Sequence, residues 1–384
     1  MIRPGALFLG VLLCAQCLQA QDEEKNWRDV FAEKYETPRD FGHDWKLGTL
    51  FGVTPEDGLL LGAGAILYEF GFRKMPYVYR MELVAGGTWT GRGKVLYNLF
   101  MPSLSKHLML DLHAHVSGVE VRNFFGLGNT TPRIRSRDDD GFYRVGSTEV
   151  LFRPVMYYAV GDVFHVGAGL SFKHLSVRKE TDRYLSGDSL AFVGNPRSHL
   201  GAGITLVYDR RDHPLMPHAG VYASCAAWNF IDPFKGNAPF RRVSGDIRVY
   251  LGDTLFTDVA LALRVAGERI FGDFPFYEAA FLGGAGSLRG YALQRFGGDA
   301  SLLASAELRV SLFRPRLLVP TEVGIFLLAD AGRVWLDDAS PGSVHSDVGG
   351  GIWLAPLSRD IIVSFVAAQS VDGLYINGGL GFGF

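Results

Sequence analysis

The side chain of this sequence with the most evident chemical potential is an arginine in a glycine-rich stretch. Residues 283–299 read GGAGSLRGYALQRFGGD, in which Gly290 and Tyr291 follow Arg289. Six glycines among seventeen residues exclude a helix or a packed strand, because glycine loses the most backbone entropy in either. Glycines beside a guanidinium let the backbone approach another part of the protein closely. The guanidinium can then hold a carboxylate through two parallel hydrogen bonds. Two interpretations stay open: an arginine that fixes this loop to a partner, or an exposed loop arginine with no fixed partner.

A second set of polar side chains has the residue types that bind metals. Asp111, His113 and His115 alternate along residues 107–118 (HLMLDLHAHVSG) and so share one face of a strand. Neighbours on one strand project side by side, so another strand would have to complete a metal site. A solvated polar face explains the row with fewer requirements, and we predict no metal here.

Other signatures of catalysis are missing from the sequence. It contains no G-x-S-x-G nucleophile elbow and no H-E-x-x-H metalloprotease motif. Its net charge of −2 gives no electrostatic basis for binding nucleic acid. We therefore predict a protein that has no catalytic residues, carries no cofactor and does not bind nucleic acid.

The N-terminal segment has the features of a cleavable export signal. Met1–Ala20 contains a basic residue, Arg3, an apolar run over Ala6–Leu13 and a small residue at a plausible cleavage point. The run is too short to cross a bilayer as a helix, and no later segment has about 18 consecutive apolar residues. Removal of Met1–Ala20 leaves Cys225 as the one cysteine, which predicts no disulfide. The chain is then a periplasmic protein, a secreted protein or an outer-membrane β-barrel.

Period-two alternation dominates the rest of the chain. In residues 301–312 (SLLASAELRVSL) one face carries Glu307 and Arg309, and the other carries Leu302 and Leu308. Such alternation is typical of a strand with one wet and one apolar face. Similar segments begin near residues 45, 58, 77, 93, 107, 144, 163, 199, 219, 240, 256, 301, 321, 346, 361 and 374, which predicts about sixteen strands.

The connectors between these strands alternate in length. One series has at most a dozen residues, whereas the other includes the long polar segments 119–143, 178–198, 271–300 and 333–345. Short periplasmic turns and long extracellular loops are the pattern of outer-membrane barrels. We therefore predict an all-β fold, a transmembrane antiparallel β-barrel of about sixteen strands over residues 45–384, preceded by a short acidic periplasmic segment, residues 21–44.

The last predicted strand is rich in glycine. Residues 374–384 (LYINGGLGFGF) place one set of side chains, Leu374, Ile376, Leu380, Phe382 and Phe384, opposite another, Tyr375, Asn377, Gly379, Gly381 and Gly383. An open soluble sheet ending in such an apolar edge would invite aggregation, whereas closure into a barrel in lipid removes the edge.

Several motifs make the sequence similar to a known family. The GG pair and the L-R-G-Y motif of residues 288–291 resemble the signature of the BamA/TamA outer-membrane assembly barrels, also called bacterial surface antigens. Further stretches resemble that family in the same order, namely TPEDGLLLGAG (54–64), FFGLGN (124–129), DRRDHPLMPHAG (209–220), GGDASLLASAELRV (297–310) and LADAGRVW (328–335). The resemblance covers roughly residues 45–384.

The resemblance implies an inward-folded loop between the eleventh and twelfth strands. Arg289, followed by Gly290 and Tyr291, would reach Glu307 and Asp330 on the inner wall. The alternation of each strand independently places these two acidic residues on the lumenal face.

The resemblance also implies a seam between the first and last strands that opens toward lipid. Gly379, Gly381 and Gly383 would weaken packing there, and the terminal residues, with Phe382 and Phe384, would form the sorting signal.

The function implied is insertion or translocation of proteins, or of lipid, at the bacterial outer membrane. Its partners would be outer-membrane lipid, a client protein and a periplasmic protein bound through residues 21–44. The family's periplasmic repeat domains do not fit within residues 21–44, because a chain below about 40 residues rarely builds its own core. Two alternatives therefore stay open: a passive solute channel, since barrels of this size can hold an aqueous pore, or an anchor for a separate periplasmic partner.

Overall fold

The computed structural model describes residues 40–54, 58–139, 141–178, 182–186, 196–234, 239–253, 258–315, 320–356 and 362–384. The predicted export signal, residues 1–20, and most of the predicted segment 21–44 lie outside these ranges. The first strand already begins at Gly42, inside the predicted segment.

Sixteen antiparallel strands form one sheet in which each strand pairs with its neighbours in the chain. They are β1 (Gly42–Thr54), β2 (Gly58–Gly71), β3 (Lys74–Gly87), β4 (Gly93–Met101), β5 (Leu108–Asn123), β6 (Arg144–Val160), β7 (Phe164–Val177), β8 (Arg197–Asp209), β9 (Gly220–Ile231), β10 (Phe240–Asp253), β11 (Val259–Gly272), β14 (Ala300–Phe313), β15 (Thr321–Trp335), β16 (His345–Pro356), β17 (Val363–Ser370) and β18 (Gly373–Leu380). Two short strands, β12 (Ala280–Leu282) and β13 (Phe296–Gly298), pair with each other inside the connector between β11 and β14. Helical structure in the described residues is limited to α1 (Arg135–Asp139) and 3-10 turns at Tyr184–Ser186 and Phe276–Glu278.

Burial in these strands is the reverse of burial in a soluble sheet. On β14 the side chains of Glu307 and Arg309 are buried, whereas Leu302 and Leu308 are 48% and 40% exposed. Apolar side chains that face outward and charged ones that face inward are expected of a barrel whose outer surface contacts lipid. The fold is the predicted antiparallel β-barrel, and every predicted strand start lies within three residues of the observed one. Among the described residues, no helix has the length and apolar character needed to span a bilayer.

The connectors fall into two series, one at each end of the barrel. One end carries the short turns and the ten-residue connector between β8 and β9; we call it the short-turn end. The other end carries the connectors after β5, β7, β11 and β15, which are the long segments that the sequence predicted.

The sheet has two edges, β1 and β18, and in the described residues no hydrogen-bonded pairing joins them. The prediction that Phe382 and Phe384 continue the outward face of the last strand is wrong. β18 ends at Leu380, and Gly381 has a φ of +87°, which turns the chain inward. Phe382 is consequently buried at 5% exposure, among inward-facing side chains of β15 and β16.

Candidate functional site

The stretch around Arg289 is a compact turn. β12 and β13 pair at its base, and Gly283 and Gly284 then take φ values of +115° and +95°, which favour glycine. The main-chain nitrogen of Gly284 donates to the carbonyl oxygens of Leu288 and Tyr291 at 3.1 and 3.2 Å. These bonds fix the backbone that presents the arginine.

Arg289 lies between the two acidic residues that the resemblance implied. Its Nε and Nη2 donate to Oδ2 and Oδ1 of Asp330, each at 2.7 Å, and its Nη1 donates to Oε1 of Glu307. All three side chains are at most 3% exposed. The exposed-arginine interpretation is therefore wrong, and the glycine-rich loop is held against the inner faces of β14 and β15.

Electrostatics favour a permanently charged Arg289. Burial alone would lower the pKa of the guanidinium, but Glu307 and Asp330 more than offset burial and raise it above its ordinary value. Glu307 also accepts a hydrogen bond from Nε of Arg309 at 2.7 Å, so one carboxylate lies between two guanidinium groups. A buried group of this kind stabilises the loop only while every member is present, because removal of one leaves a charge unpaired.

The residues after Arg289 extend the contact along the wall. The Oγ of Ser370 donates to the carbonyl oxygen of Gly290 at 2.5 Å, and Nδ2 of Asn377 donates to that of Arg289 at 3.2 Å. Tyr291 is 2% exposed, and its hydroxyl donates to the carbonyl oxygen of Ser346 at 3.3 Å. The loop thus contacts every strand from β14 to β18.

Gly290 lies directly against Asp347, which pairs in register with Asp330. A Cβ at Gly290 would lie 2.5 Å from the Cβ of Asp347. We expect Gly290→Ala to lower the free energy of unfolding by about 1–3 kcal/mol. The reason is that the Cβ of Asp347 is bonded directly to the backbone of β16 and cannot move aside without that strand. Chemical unfolding in detergent measures this. Gly286→Ala is the matched control, since a Cβ there meets nothing within 4 Å, and equal effects of the two would contradict the close contact.

The sequence analysis missed a second set of contacts that ties the loop to the wall, made by Glu278. Oε1 of Glu278 lies 2.9 Å from Nζ of Lys173 on β7, and Oε2 accepts from Nη2 of Arg242 on β10 at 2.8 Å. The adjacent Tyr277 hydroxyl lies 3.2 Å from Nε2 of His199 on β8. The loop is therefore held to the wall formed by β7, β8 and β10 as well. The available signal was a lone acidic residue in the apolar run FPFYEAAF (274–281).

The Glu278 carboxylate makes this tie sensitive to acid. Burial alone would raise the pKa of Glu278, but Lys173 and Arg242 outweigh it and hold the pKa at about 2, against an ordinary 4.5. The unfolded chain binds this proton more readily, so the stabilisation is complete above about pH 4.5 and is lost as the pH falls toward 2.

We expect the thermal midpoints of the native protein and of Glu278→Gln, compared in detergent across that pH range, to converge as the pH falls. A gap that does not change with pH would contradict this account of Glu278.

Comparison with known proteins identifies the family. The family model described as the Omp85 superfamily domain matches residues 102–356, well over half of the chain. The chain belongs to the Omp85 superfamily.

Solved structures similar to this Omp85 barrel agree with the fold. BamA from Haemophilus ducreyi lacking POTRA domains 1–3 superposes with a TM-score of 0.60 at 14% identity, over 88% of this chain and 69% of that one. CdiB from Escherichia coli gives 0.55 at 14% identity over 89% and 62%, and CdiB from Acinetobacter baumannii gives 0.51 at 10% identity over 88% and 58%. No curated protein matches the sequence.

The glycine-rich end of this Omp85 barrel meets the arginine site. Gly379 pairs with Ser364 on β17, and after the turn at Gly381 the chain runs along the lumenal wall. A Cβ at Gly383 would lie 2.8 Å from Nη1 of Arg289, and the Phe384 ring centroid lies 5.9 Å from the Arg289 guanidinium. The sequence analysis predicted the seam glycines and Arg289 as separate sites, whereas the fold brings Gly383 next to Arg289.

The histidine row of this Omp85 barrel is part of a hydrogen-bonded wall. Nδ1 of His113 lies 2.6 Å from Oδ1 of Asn98, and Nε2 of His115 lies 3.1 Å from Oε1 of Glu149. Asp111 lies on the same strand, one step toward the short-turn end. In the described part of the chain, no group of His, Cys, Asp and Glu has the arrangement of a metal site.

Proposed function

We propose that this Omp85 barrel inserts or translocates a protein at the bacterial outer membrane. The Arg289 loop closes the lumen, and the barrel functions only when this loop is held in place. The observation that carries the proposal is the buried contact of Arg289 with Glu307 and Asp330. This contact holds the loop inside the lumen, and a barrel that handles a large client needs a lumen that stays closed to solutes. Family membership supports the same reading.

The exit that we propose is the seam between β1 and β18. No hydrogen-bonded pairing joins these two edges in the described residues, and Gly379, the one predicted seam glycine that lies on β18, gives this edge little side-chain packing. Because Asn377 on β18 donates to the carbonyl oxygen of Arg289, movement of the seam and movement of the loop are coupled.

Cross-linking tests the seam. Cysteines placed on β1 and β18, at positions whose Cα atoms approach within about 7 Å, are expected to form a disulfide that abolishes client delivery. Reduction restores delivery. Full delivery with the cross-link intact would rule out lateral opening.

Quantitative outer-membrane proteomics tests the function. We expect the same one or few surface proteins to be lost from cells without the protein and from cells with Arg289→Ala. Arg241→Ala is the matched control, because Arg241 is an exposed arginine near the same end of the barrel. An unchanged proteome with altered uptake of small solutes would instead identify a passive channel.

The third function, an anchor for a periplasmic partner, depends on residues outside the described ranges. Deletion of residues 21–39 leaves β1 intact, since this strand begins at Gly42. Capture of the same periplasmic protein with and without residues 21–39 would exclude binding through this segment.

A further inference from the structure

The connector between β8 and β9 reaches the opposite wall of the barrel. Its Leu215 and Met216 pack against an apolar cluster that includes Phe326 on β15, Trp353 on β16 and, after the end of β18, Phe382. In the sheet, β10, β11 and β14 separate β9 from β15, so this contact cannot follow neighbouring strands. Phe326 and Trp353 face inward at 3% and 1% exposure. The connector therefore crosses the lumen at the short-turn end.

Hydrogen bonds fix the conformation of the part of this connector that precedes Leu215 and Met216. Arg211 donates from Nε and Nη2 to Oδ1 and Oδ2 of Asp209 at 3.1 and 3.0 Å. Oδ1 of Asp212 accepts hydrogen bonds from the main-chain nitrogens of His213, His218 and Ala219.

The tip of the connector is also fixed. Nδ1 of His213 accepts from the main-chain nitrogens of Leu215 and Met216 at 3.3 and 3.0 Å. The main-chain nitrogen of Asp212 donates to the carbonyl oxygen of Ala219 at 3.0 Å, so the strand pairing continues to these two residues. Residues 213–218 form the tip, and these hydrogen bonds hold Leu215 and Met216 in one fixed arrangement.

The same space is filled from the other side by the chain after β18. The Arg309 guanidinium lies 3.9 Å from the ring centroid of Phe382, and Nη2 of Arg309 donates to the main-chain oxygen of Phe384 at 2.7 Å. Apolar contacts of this kind exclude water locally. The connector tip and Phe382 therefore belong to one apolar cluster inside the barrel.

We propose that residues 213–218 are a second plug, which closes the lumen at the short-turn end, in addition to the Arg289 loop, which enters from the other end. The two closures lie in series. Release of either one leaves the other in place, so a continuous path opens only when both are released. This inference concerns closure of the lumen and does not depend on whether the barrel delivers a client protein.

A shortened connector tests the plug. Because Asp212 and Ala219 are paired, replacement of residues 213–218 by Asn-Gly makes a two-residue hairpin that keeps this pairing. Conductance in planar bilayers is compared for the native protein, the shortened protein, Arg289→Ala and the combination. We expect the combination to conduct steadily and many-fold more than Arg289→Ala alone. Equal conductance of these two would overturn the proposal.

A second variant covers a shortened protein that fails to fold. Leu215→Ser with Met216→Ser keeps the length of the connector and removes its apolar contact. In the Arg289→Ala background we expect it to raise the mean conductance several-fold. Leu104→Ser is the matched control, since Leu104 is a 43% exposed side chain on another turn at the same end. No difference between the double serine variant and this control would overturn the proposal as well.

Discussion

Arg289→Ala is expected to release the loop from the wall of β14 and β15 and to lower the free energy of unfolding by about 3–5 kcal/mol. The reason is that Glu307 and Asp330 are both buried, and without the guanidinium their charges face each other with fewer partners. Chemical unfolding in detergent measures the loss, and the level of client proteins in the outer membrane measures its consequence.

One variant separates the geometry of this contact from its charge, and a second serves as the control for the loss of an arginine. Arg289→Lys keeps the positive charge but cannot make two parallel bonds to Asp330, so we expect it to recover only part of the stability. Arg241→Ala removes an exposed arginine and should cost less than about 1 kcal/mol. Full stability of Arg289→Lys would show that charge alone holds the loop.

Glu278→Ala is expected to have the second largest effect, also on the order of 3–5 kcal/mol, because it leaves Lys173 and Arg242 facing the lumen without their shared carboxylate. A double-mutant cycle with Lys173→Met isolates the interaction, for which we expect a coupling energy of about 0.5–3 kcal/mol. Unfolding in detergent provides all four values.

Glu268→Gln is the matched control for Glu278. Glu268 also pairs with Arg242, at 3.4 Å, but its side chain is 26% exposed, so solvent weakens the interaction. We expect a loss below about 1 kcal/mol. If the two variants lose equal stability, Glu278 is an ordinary wall residue and not a tie of the loop.

The strands could be predicted from the sequence because each one has a wet and an apolar face. Alternation such as that of residues 301–312 is imposed by water on one side and lipid on the other, so it survives without knowledge of the neighbours. The same alternation placed Glu307 and Asp330 on the inner wall. Once a family resemblance named Arg289 as the partner, the site required no further information.

The features that the sequence analysis missed depend on contacts between distant parts of the chain. The alternating pattern predicted that Phe382 lies on the outer face. The pattern gives no sign that Gly381 adopts a φ of +87° and turns the chain inward. Glu278 gave no pattern of its own, since its partners Lys173 and Arg242 lie on two other strands. Met216 likewise gave no pattern of its own, since the apolar cluster that it contacts is formed by residues far away in the sequence.

The central claim is that Arg289 holds the glycine-rich loop inside the lumen, and cysteine labelling on intact cells tests it most directly. Leu288 is fully buried beside Arg289, so Leu288→Cys, in a background where the exposed Cys225 is replaced by alanine, reports the position of the loop. Ser343→Cys, on an exposed connector at the long-loop end, is the control for labelling.

We predict that a membrane-impermeant maleimide labels Ser343→Cys rapidly and Leu288→Cys hardly at all, and that adding Arg289→Ala makes Leu288→Cys react as fast as the control. Protection of Leu288→Cys that persists without Arg289 would contradict the claim, because the other contacts of the loop would then be sufficient to hold it inside.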